Sequence, residues 1–197
     1  DESLATKSQE VIEQAVKNMG YMRADVKLNK KIKKKKLKLN YQISTDKLYK
    51  INHIAYHIDD LRIQEIIDKD SLNSQLYAGM PFNIVTLDAE RQRITKLLQN
   101  NGYYKFNKDF IVYQADTVRN TYGINLTMKL LPFQLRKEDI PTKHQQYTIR
   151  NVNFLTEGNI LQQENSWDDY DSIQHKGLHI FYKDNLYLRP NTLANFN

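Results

Sequence analysis

One pattern recurs along this chain and limits what it can fold into. Asn18-Met19-Gly20-Tyr21-Met22 returns 82 residues later as Asn100-Asn101-Gly102-Tyr103-Tyr104. Tyr49-x-Ile51-x-x-Ile54-x-Tyr56 returns 98 residues later as Tyr147-x-Ile149-x-x-Val152-x-Phe154. Recurrence at such spacings marks a chain assembled from like units. The offsets differ where loops differ in length, but the order of elements is the same.

The middle unit shows that order in full. Residues 49–59 read as a strand with Ile54, Tyr56 and Ile58 on one face at period two. Ile51 falls on the other parity, which predicts a bulge or a strand start near Asn52. Residues 61–70 read as a short helix, with Leu61, Ile63, Ile66 and Ile67 on one side. Residues 73–82 form a loop punctuated by Gly79 and Pro81. The strongest helix spans 87–100, with Asp88 and Glu90 in its first turn, where the macrodipole favours acids. Leu87, Ile94, Leu97 and Leu98 make its apolar stripe, and Asn101-Gly102 supplies a left-handed stop. Two β-rich stretches follow, 106–117 and 123–131. In the second, Ile124, Leu126, Met128 and Leu130 alternate with polar residues, the mark of a sheet with one wet face. The unit is strand–helix–helix–strand–strand. The fold class is therefore α+β: a tandem of βααββ units, each a three-stranded mixed sheet with two helices packed on one face.

Three domains follow from this order. Residues 1–46 hold only a second helix and a hairpin. The helix covers 6–19, with Thr6 and Gln9 as a capping box and Val11, Ala15, Val16 and Met19 as its stripe. The hairpin pairs 24–30 with 37–44, which puts the lysines at and beside its turn. Residues 47–143 are a complete unit. Residues 144–197 begin a third, with a strand at 147–155, a polar insertion at 157–176 and a hairpin of 178–182 and 186–188 around Lys183-Asp184-Asn185. Arg189-Pro190 then opens a helix, with proline at its first position. Units cut short at both ends predict that the parts carrying anchorage or chemistry lie elsewhere in a longer polypeptide.

The net charge is +6, from 29 basic and 23 acidic residues. Residues 27–38 hold eight lysines and no acid, and without them 21 basic residues face 23 acidic ones. The basicity is thus one stretch, in which Lys30, Lys31, Lys33, Lys34, Lys35 and Lys36 are concentrated. It contains no arginine for bidentate phosphate or base contacts and no aromatic for base stacking, so no nucleic-acid partner is expected. Two readings stand: a solvated hairpin tip, or a contact with an anionic surface such as lipid headgroups or an acidic partner. The competing assignment, nucleic-acid binding through residues 27–38, predicts a steep salt dependence.

No catalytic, cofactor or metal site is legible. Cysteine is absent, which removes thiolate chemistry and Cys-based zinc sites. His53 and His57 share strand parity but would lie about 13 Å apart, too far for one metal. Asp168, Asp169 and Asp171 lack the glycine and terminal glutamate of a calcium loop. No phosphate-cradling glycine loop and no Gly-x-Ser-x-Gly elbow occurs. Asp60, between a strand and a helix, reads as an N-cap rather than an acid catalyst. No apolar run reaches the roughly 20 residues of a membrane helix, and residues 1–10 lack the pattern of a signal peptide.

The recurring anchors resemble POTRA domains. These are the periplasmic modules of the BamA-type outer-membrane β-barrel assembly factors, their translocation relatives and the two-partner secretion transporters. The resemblance runs over about 6–154. It rests on the element order and on Gly79-Met80-Pro81-Phe82-Asn83 followed by Leu87, Glu90-Arg91, Ile94, Leu97 and Gly102-Tyr103. In that family the second helix ends in a Gly-Tyr pair that packs beneath the sheet, as Gly20-Tyr21 and Gly102-Tyr103 would here. The opening strand carries Ile-x-x-Ile-x-aromatic, matched by Ile51, Ile54 and Tyr56. The stretch Trp167-Asp168-Asp169-Tyr170-Asp171 departs from the pattern.

The resemblance implies a non-enzymatic, cofactor-free periplasmic scaffold of an outer-membrane protein assembly factor or, alternatively, of a translocation or two-partner secretion transporter, tethered to the outer membrane by a β-barrel beyond Asn197. Its implied partners are unfolded outer-membrane polypeptides and assembly lipoproteins. Its implied route is β-augmentation, in which an extended guest pairs with the hairpin's first strand as an open sheet edge. In the middle unit that edge is Asp109, Phe110, Ile111, Val112, Tyr113, Gln114 and Ala115. Phe110 to Tyr113 are apolar on both faces, which fits either a used edge or one covered by a neighbouring unit. In the first unit the edge is 24–28, followed at once by lysines that guard it against aggregation.

Overall fold

The computed structural model describes residues 2–33, 36–119, 121–134, 136, 138–156 and 170–195. Lys34 and Lys35, and residues 157–169 with Trp167, Asp168 and Asp169, lie outside the described residues. Two compact units divide the chain, 1–146 and 147–197.

The first unit opens with α1 (Glu2–Asn18), then an antiparallel pair, β1 (Asp25–Lys33) and β2 (Lys36–Ser44). The helix begins earlier than the sequence predicts, so Thr6 lies inside it and starts nothing. Its buried row also differs. Ala5, Ile12 and Val16 turn inward, whereas Val11, Ala15 and Met19 face solvent. The cause lies in partners distant in sequence: Gln9 Nε2 donates to the Val26 carbonyl, and Tyr41 OH donates to the Ala5 carbonyl. These two bonds rotate the helix so that its 5–9–12–16 row rests on the hairpin. Lys30, Lys31, Lys33 and Lys36 lie in the strand ends beside the turn, where Lys33 and Lys36 form the innermost pair.

A complete βααββ arrangement follows. It consists of β3 (Lys50–His57), α2 (Leu61–Lys69), α3 (Ile84–Asn100), β4 (Ile111–Thr117) and β5 (Gly123–Leu130). The strand order is β3-β5-β4, with β3 parallel and β4 antiparallel to the central β5. The register slips between Ile51 and His53, at the bulge expected near Asn52. Asp60 caps α2 by accepting the amides of Arg62 and Ile63. Asn83 caps α3 by accepting the Val85 amide, which moves the helix start back from 87 to Ile84. Both helices lie on one sheet face. Ile63 and Ile67 of α2 and Ile94 and Leu98 of α3 meet Ile111 and Met128 of the sheet, while Leu87 meets Ile124 and Leu126.

The two Gly-Tyr corners close alike. Gly20 (φ 100°) sends its amide to Lys17 and Tyr21 sends its amide to Val16. Gly102 (φ 90°) sends its amide to Gln99 and Tyr103 to Leu98. Each is the paired-bond C-terminal motif that glycine permits. Gly20 has a second role. Its carbonyl accepts the Tyr49 amide, and a β-carbon on it would lie 2.5 Å from the Phe82 carbonyl oxygen. Phe82 in turn donates its amide to the Tyr49 carbonyl, and Ile51 donates to Met80. Residues 79–82 therefore run along the start of β3 while the first helix corner abuts them.

In residues 147–197, β6 (Val152–Leu155), β7 (Asp171–His175) and β8 (Leu178–Tyr182) form a sheet in the order β6-β8-β7. The first strand is parallel and the hairpin antiparallel, as in β3-β5-β4. The hairpin turns at Lys176 (φ 47°) and Gly177 (φ 80°), not at 183–185, and 186–188 form no strand. Strand β7 lies within what reads as a polar insertion because Ile173, opposite Ile180, is its one aliphatic residue. The first strand starts at Val152, and Tyr147 and Ile149 are exposed, unlike the buried Tyr49 and Ile51. Arg189 precedes α4 (Pro190–Ala194), with proline in its first turn.

Gly20 and Gly79 both have positive φ, but nothing lies within 4 Å of a β-carbon at Gly79. Gly79→Ala should cost about 1 kcal/mol from backbone strain alone. Gly20→Ala adds a clash with backbone and should cost about 3 kcal/mol. Urea unfolding of both variants measures the difference, and equal costs would mean that the Gly20–Phe82 contact is not held in solution.

Candidate functional site

The first candidate is the edge of the β3-β5-β4 sheet. Strand β4 pairs with β5 on one side and with no described strand on the other. Leu131 N–H donates to the Phe110 carbonyl at 2.7 Å, and Val118 N–H donates to the Gly123 carbonyl at 2.9 Å. Both bonds fit the β4–β5 register, so bonded pairs fall at every second residue between them. Val112, Gln114 and Asp116 thus turn their amide and carbonyl groups to β5. Ile111, Tyr113, Ala115 and Thr117 turn theirs outward. The Ile111 amide is taken by the Lys108 carbonyl, so the usable edge starts at the Ile111 carbonyl and continues through Tyr113 and Ala115.

The N-terminal part of the expected edge is not strand. Asp109 and Phe110 lie in a 3₁₀ turn, Lys108–Phe110, which Asn107 caps by accepting the Asp109 amide. Helix α3 holds this turn in place. Arg91 Nε donates to the Lys108 carbonyl at 3.0 Å and Nη2 reaches Asp109, while Lys108 Nζ reaches Asp88 at 3.0 Å. Phe110 packs with Phe106, Phe133 and His144. The edge strand is anchored at one end and open along its length.

Side chains alternate along it. Ile111 is buried and Tyr113 half-buried on the core side. Val112 is half-buried and Gln114 exposed on the other. Gln114 accepts from Lys129 Nζ at 2.7 Å and donates to Asp116. Burial raises the Tyr113 phenol well above its ordinary value, with the nearby Glu90 charge adding to the effect.

Among the described residues the most buried charge is Glu90, at 0% exposure in α3. Arg93 Nε and Nη2 fork onto its two oxygens at 2.9 and 2.8 Å. Ser74 Oγ and the Gln75 amide each donate to it at 2.9 Å, and Arg93 also bonds Asp70. This cluster ties the loop after α2 onto α3. The sequence reading places Glu90 in a first helical turn as a dipole partner. Its spacing of three from Leu87 and four from Ile94 is the signal that it belongs to the buried stripe. Burial pushes the Glu90 carboxyl up, but the hydrogen bonds from Arg93, Gln75 and Ser74 and the Arg93 charge outweigh it and hold the carboxyl below its ordinary value.

His144 carries no signal in the sequence, yet it fastens the segment beyond β5. Its Nε2 lies 2.8 Å from the Leu131 carbonyl and so carries the proton there. Its ring packs against Phe106, Phe110 and Phe133. Burial lowers its pKa, against the pull of the Leu131 carbonyl and the Asp60 charge. A cavity of about 280 Å³ lies alongside, with Asp59, Asp60 and His144 in its wall.

The remaining predicted residues sit apart from the edge. Gly102 and Tyr103 close α3, and Tyr103 is 1% exposed in the core, whereas Tyr21 is half-buried beside Gly20. On the hairpin, Lys31 pairs with Lys38 and Lys33 with Lys36 directly across the strands. Lys30 pairs with Leu39 on the opposite face. His57 lies 3.8 Å from Asp59 and does not meet His53 at a shared ligand site. Among the described residues no helix is long and apolar enough to cross a membrane.

No family model matches the chain, and no curated protein does. Solved structures do. BamA from Haemophilus ducreyi lacking POTRA domains 1–3 is 16% identical, with a TM-score of 0.41; the match covers 63% of this chain and 23% of that one. Haemophilus influenzae BamA POTRA3–5 is 10% identical, with a TM-score of 0.44 over 90% of this chain and 78% of that one. The N-terminal domain of Omp85 from Thermosynechococcus elongatus is 10% identical, with a TM-score of 0.32 over 91% and 84%. Values this low assign the chain to no family.

Two outcomes follow from the buried charges. Glu90→Ala leaves Arg93 with Asp70 alone and strips the Ser74 and Gln75 donors of their acceptor, and should cost about 3 kcal/mol. Because the folded carboxyl sits below its ordinary value, its contribution is present above about pH 4.3 and lost as pH falls through the lowered value. Glu90→Gln should therefore flatten the acid limb of stability measured by urea unfolding. His144 acts in the same direction at higher pH. Its folded pKa is depressed, so stability is full above about pH 6.5 and declines as pH falls below it. His144→Phe should remove most of the fall in thermal midpoint between about pH 7.5 and 5.5, and an unchanged slope would exclude the buried neutral ring.

Proposed function

We propose that this chain is a tandem of POTRA-like βααββ modules, with repeat boundaries at 1–46, 47–143 and 144–197. In this reading it serves as a non-enzymatic periplasmic scaffold in outer-membrane protein assembly. It receives unfolded outer-membrane polypeptides, docks assembly lipoproteins and is tethered through a barrel beyond Asn197. The observation that carries the reading is the open edge of β4. The outward carbonyl of Ile111 and the outward amides and carbonyls of Tyr113 and Ala115 offer main-chain pairing to any extended guest. Main-chain bonds require no particular guest sequence, which suits a client class of many different strands. The half-buried Val112 and Tyr113 give a guest apolar neighbours on both faces. The 3₁₀ turn at Lys108–Phe110, held by Arg91, anchors the start of the edge.

The test is a titration of the isotopically labelled chain with peptides from unfolded barrel strands. Amide shifts should concentrate on Ile111–Thr117 and be largest at Tyr113 and Ala115. Ala115→Pro removes an outward amide that β5 does not use, so the fold should persist while peptide affinity falls about tenfold or more. Gln114→Pro removes an inward bond and should unfold the strand at a cost of about 3 kcal/mol. Shifts spread evenly, or confined to the 30–38 stretch, would remove the edge-pairing mechanism.

A further inference from the structure

The β1–β2 hairpin has two unlike faces. Val26 and Leu28 of β1 and Tyr41 of β2 lie on the side of α1, where the Tyr41 hydroxyl reaches the Ala5 carbonyl. Side chains alternate along a strand, so Lys27, Asn29 and Lys31 of β1 share the opposite face with Lys36, Lys38 and Asn40 of β2. All six are exposed. The register sets Asn29 beside Asn40 and Lys31 beside Lys38. Asp25, at the base, is the one acid in either strand. Among the described residues Lys27, Lys31, Lys36 and Lys38 make no ion pair. The equivalent face of the β3-β5-β4 sheet is mixed instead. There Lys129 donates to Gln114, and Gln114 donates to Asp116. Like charges directly opposite cost stability, and the hairpin supplies no carboxylate to relieve them, so the relief falls to an external anion.

The character of the face selects among anions. It holds no arginine, whose fork fixes a carboxylate or phosphate in one geometry. It holds no apolar side chain around which a protein partner could bury a dry interface core. Lysine is a point charge on a flexible stem, which suits a fluid array of anions without a fixed shape. Four residues along a strand span about 13 Å and paired strands lie about 5 Å apart, so the ammonium groups form a strip that a planar surface meets all at once. Between them runs a groove of about 470 Å³, lined by Asn29, Lys30, Lys31, Lys38 and Asn40, in which amide and ammonium donors surround room for a phosphate group. The strip lies opposite α1 and across the sheet plane from it, so neither a strand beside the hairpin nor a helix on the α1 side covers it.

We propose that this lysine strip docks the protein on an anionic lipid bilayer, with the phosphate-bearing headgroups as the groups recognised. Each lysine held near such a surface strengthens partitioning roughly fivefold, and the four together strengthen it on the order of several hundredfold. The strip is separate from the β4 edge. Bilayer docking therefore goes beyond guest pairing, and either can fail without the other.

The test is co-sedimentation of the 197-residue chain with vesicles of equal parts phosphatidylglycerol and phosphatidylcholine, against vesicles of phosphatidylcholine alone. Partitioning should be about 100-fold stronger on the anionic vesicles in dilute buffer and should fall steeply as salt is added. Lys31→Gln combined with Lys38→Gln should weaken it roughly 25-fold. Lys50→Gln combined with Lys96→Gln removes the same charge from exposed positions elsewhere and should change it by about twofold or less. Removing the opposed pair relieves repulsion inside the hairpin, so the thermal midpoint of the first double variant should hold or rise, and a folding defect cannot imitate the loss. Equal partitioning on the two kinds of vesicle would overturn the proposal. So would equal weakening by the two double variants, which would leave net charge alone as the cause. Tighter binding of polyglutamate or of duplex DNA than of the anionic vesicles, at equal concentration of anionic groups, would also overturn it by making an acidic polypeptide or a nucleic acid the occupant.

Discussion

The order of residues 1–146 descends from one carboxylate. Glu90 sits at 0% exposure and survives there because four donors from Arg93, Ser74 and Gln75 satisfy it. Holding Ser74 and Gln75 fixes where the loop after α2 leaves the helix. From there the loop runs to Met80 and Phe82, which pair with Ile51 and Tyr49 at the start of β3. Tyr49 also donates to Gly20, which closes the first helix. A single buried charge thus sets the position of a loop, the start of a strand and the corner of an adjacent helix. Hydrophobic burial supplies most of the driving force, but it is non-directional and would not by itself select this loop path.

Much of this was legible where a residue type admits one conformation. Gly20 and Gly102 announced left-handed helix ends because other residues resist positive φ, and both ends close with the same pair of bonds. The parity break at Ile51 announced a bulge, and the register slips there. The alternation of Ile124, Leu126 and Met128 announced the covered face of β5. What stayed hidden depended on partners distant in sequence. Glu90 reads as a surface acid until Ser74 and Gln75 are placed against it. The rotation of α1 is set by Gln9 reaching Val26, so a stripe drawn from Val11, Ala15 and Met19 falls on the wrong side. Strand β7 is obscured because Asp171, Ser172, Gln174 and His175 surround one isoleucine whose partner, Ile180, lies across the hairpin.

The two hairpins of residues 1–146 manage their edges by opposite means. Strand β4 is apolar at Val112 and Tyr113 and anchored by Arg91 at its start. The β1–β2 pair instead sets lysine opposite lysine, as at Lys31–Lys38. Like charges directly opposite weaken a pair and discourage a third strand from stacking on that face. Salt screens such repulsion within about 10 Å at moderate ionic strength, so this hairpin is firmer in brine than in dilute buffer.

The parallel placement of β3 also dictates when the middle sheet can be completed. Strands β4 and β5 are joined by a short link and can zip together in microseconds. Asn52 and Asn125, which share a hydrogen bond across β3 and β5, are 73 residues apart in sequence. Closing so long a loop is entropically slow, and the bulge must find its register before the ladder holds. A newly made chain therefore passes through an interval in which the hairpin exists and its central strand has one side bare. During synthesis that interval opens only once Leu130, the last residue of β5, has emerged. The strand that belongs there is by then already made, tethered and at high local concentration, which protects the nascent sheet from capturing a stranger in its place.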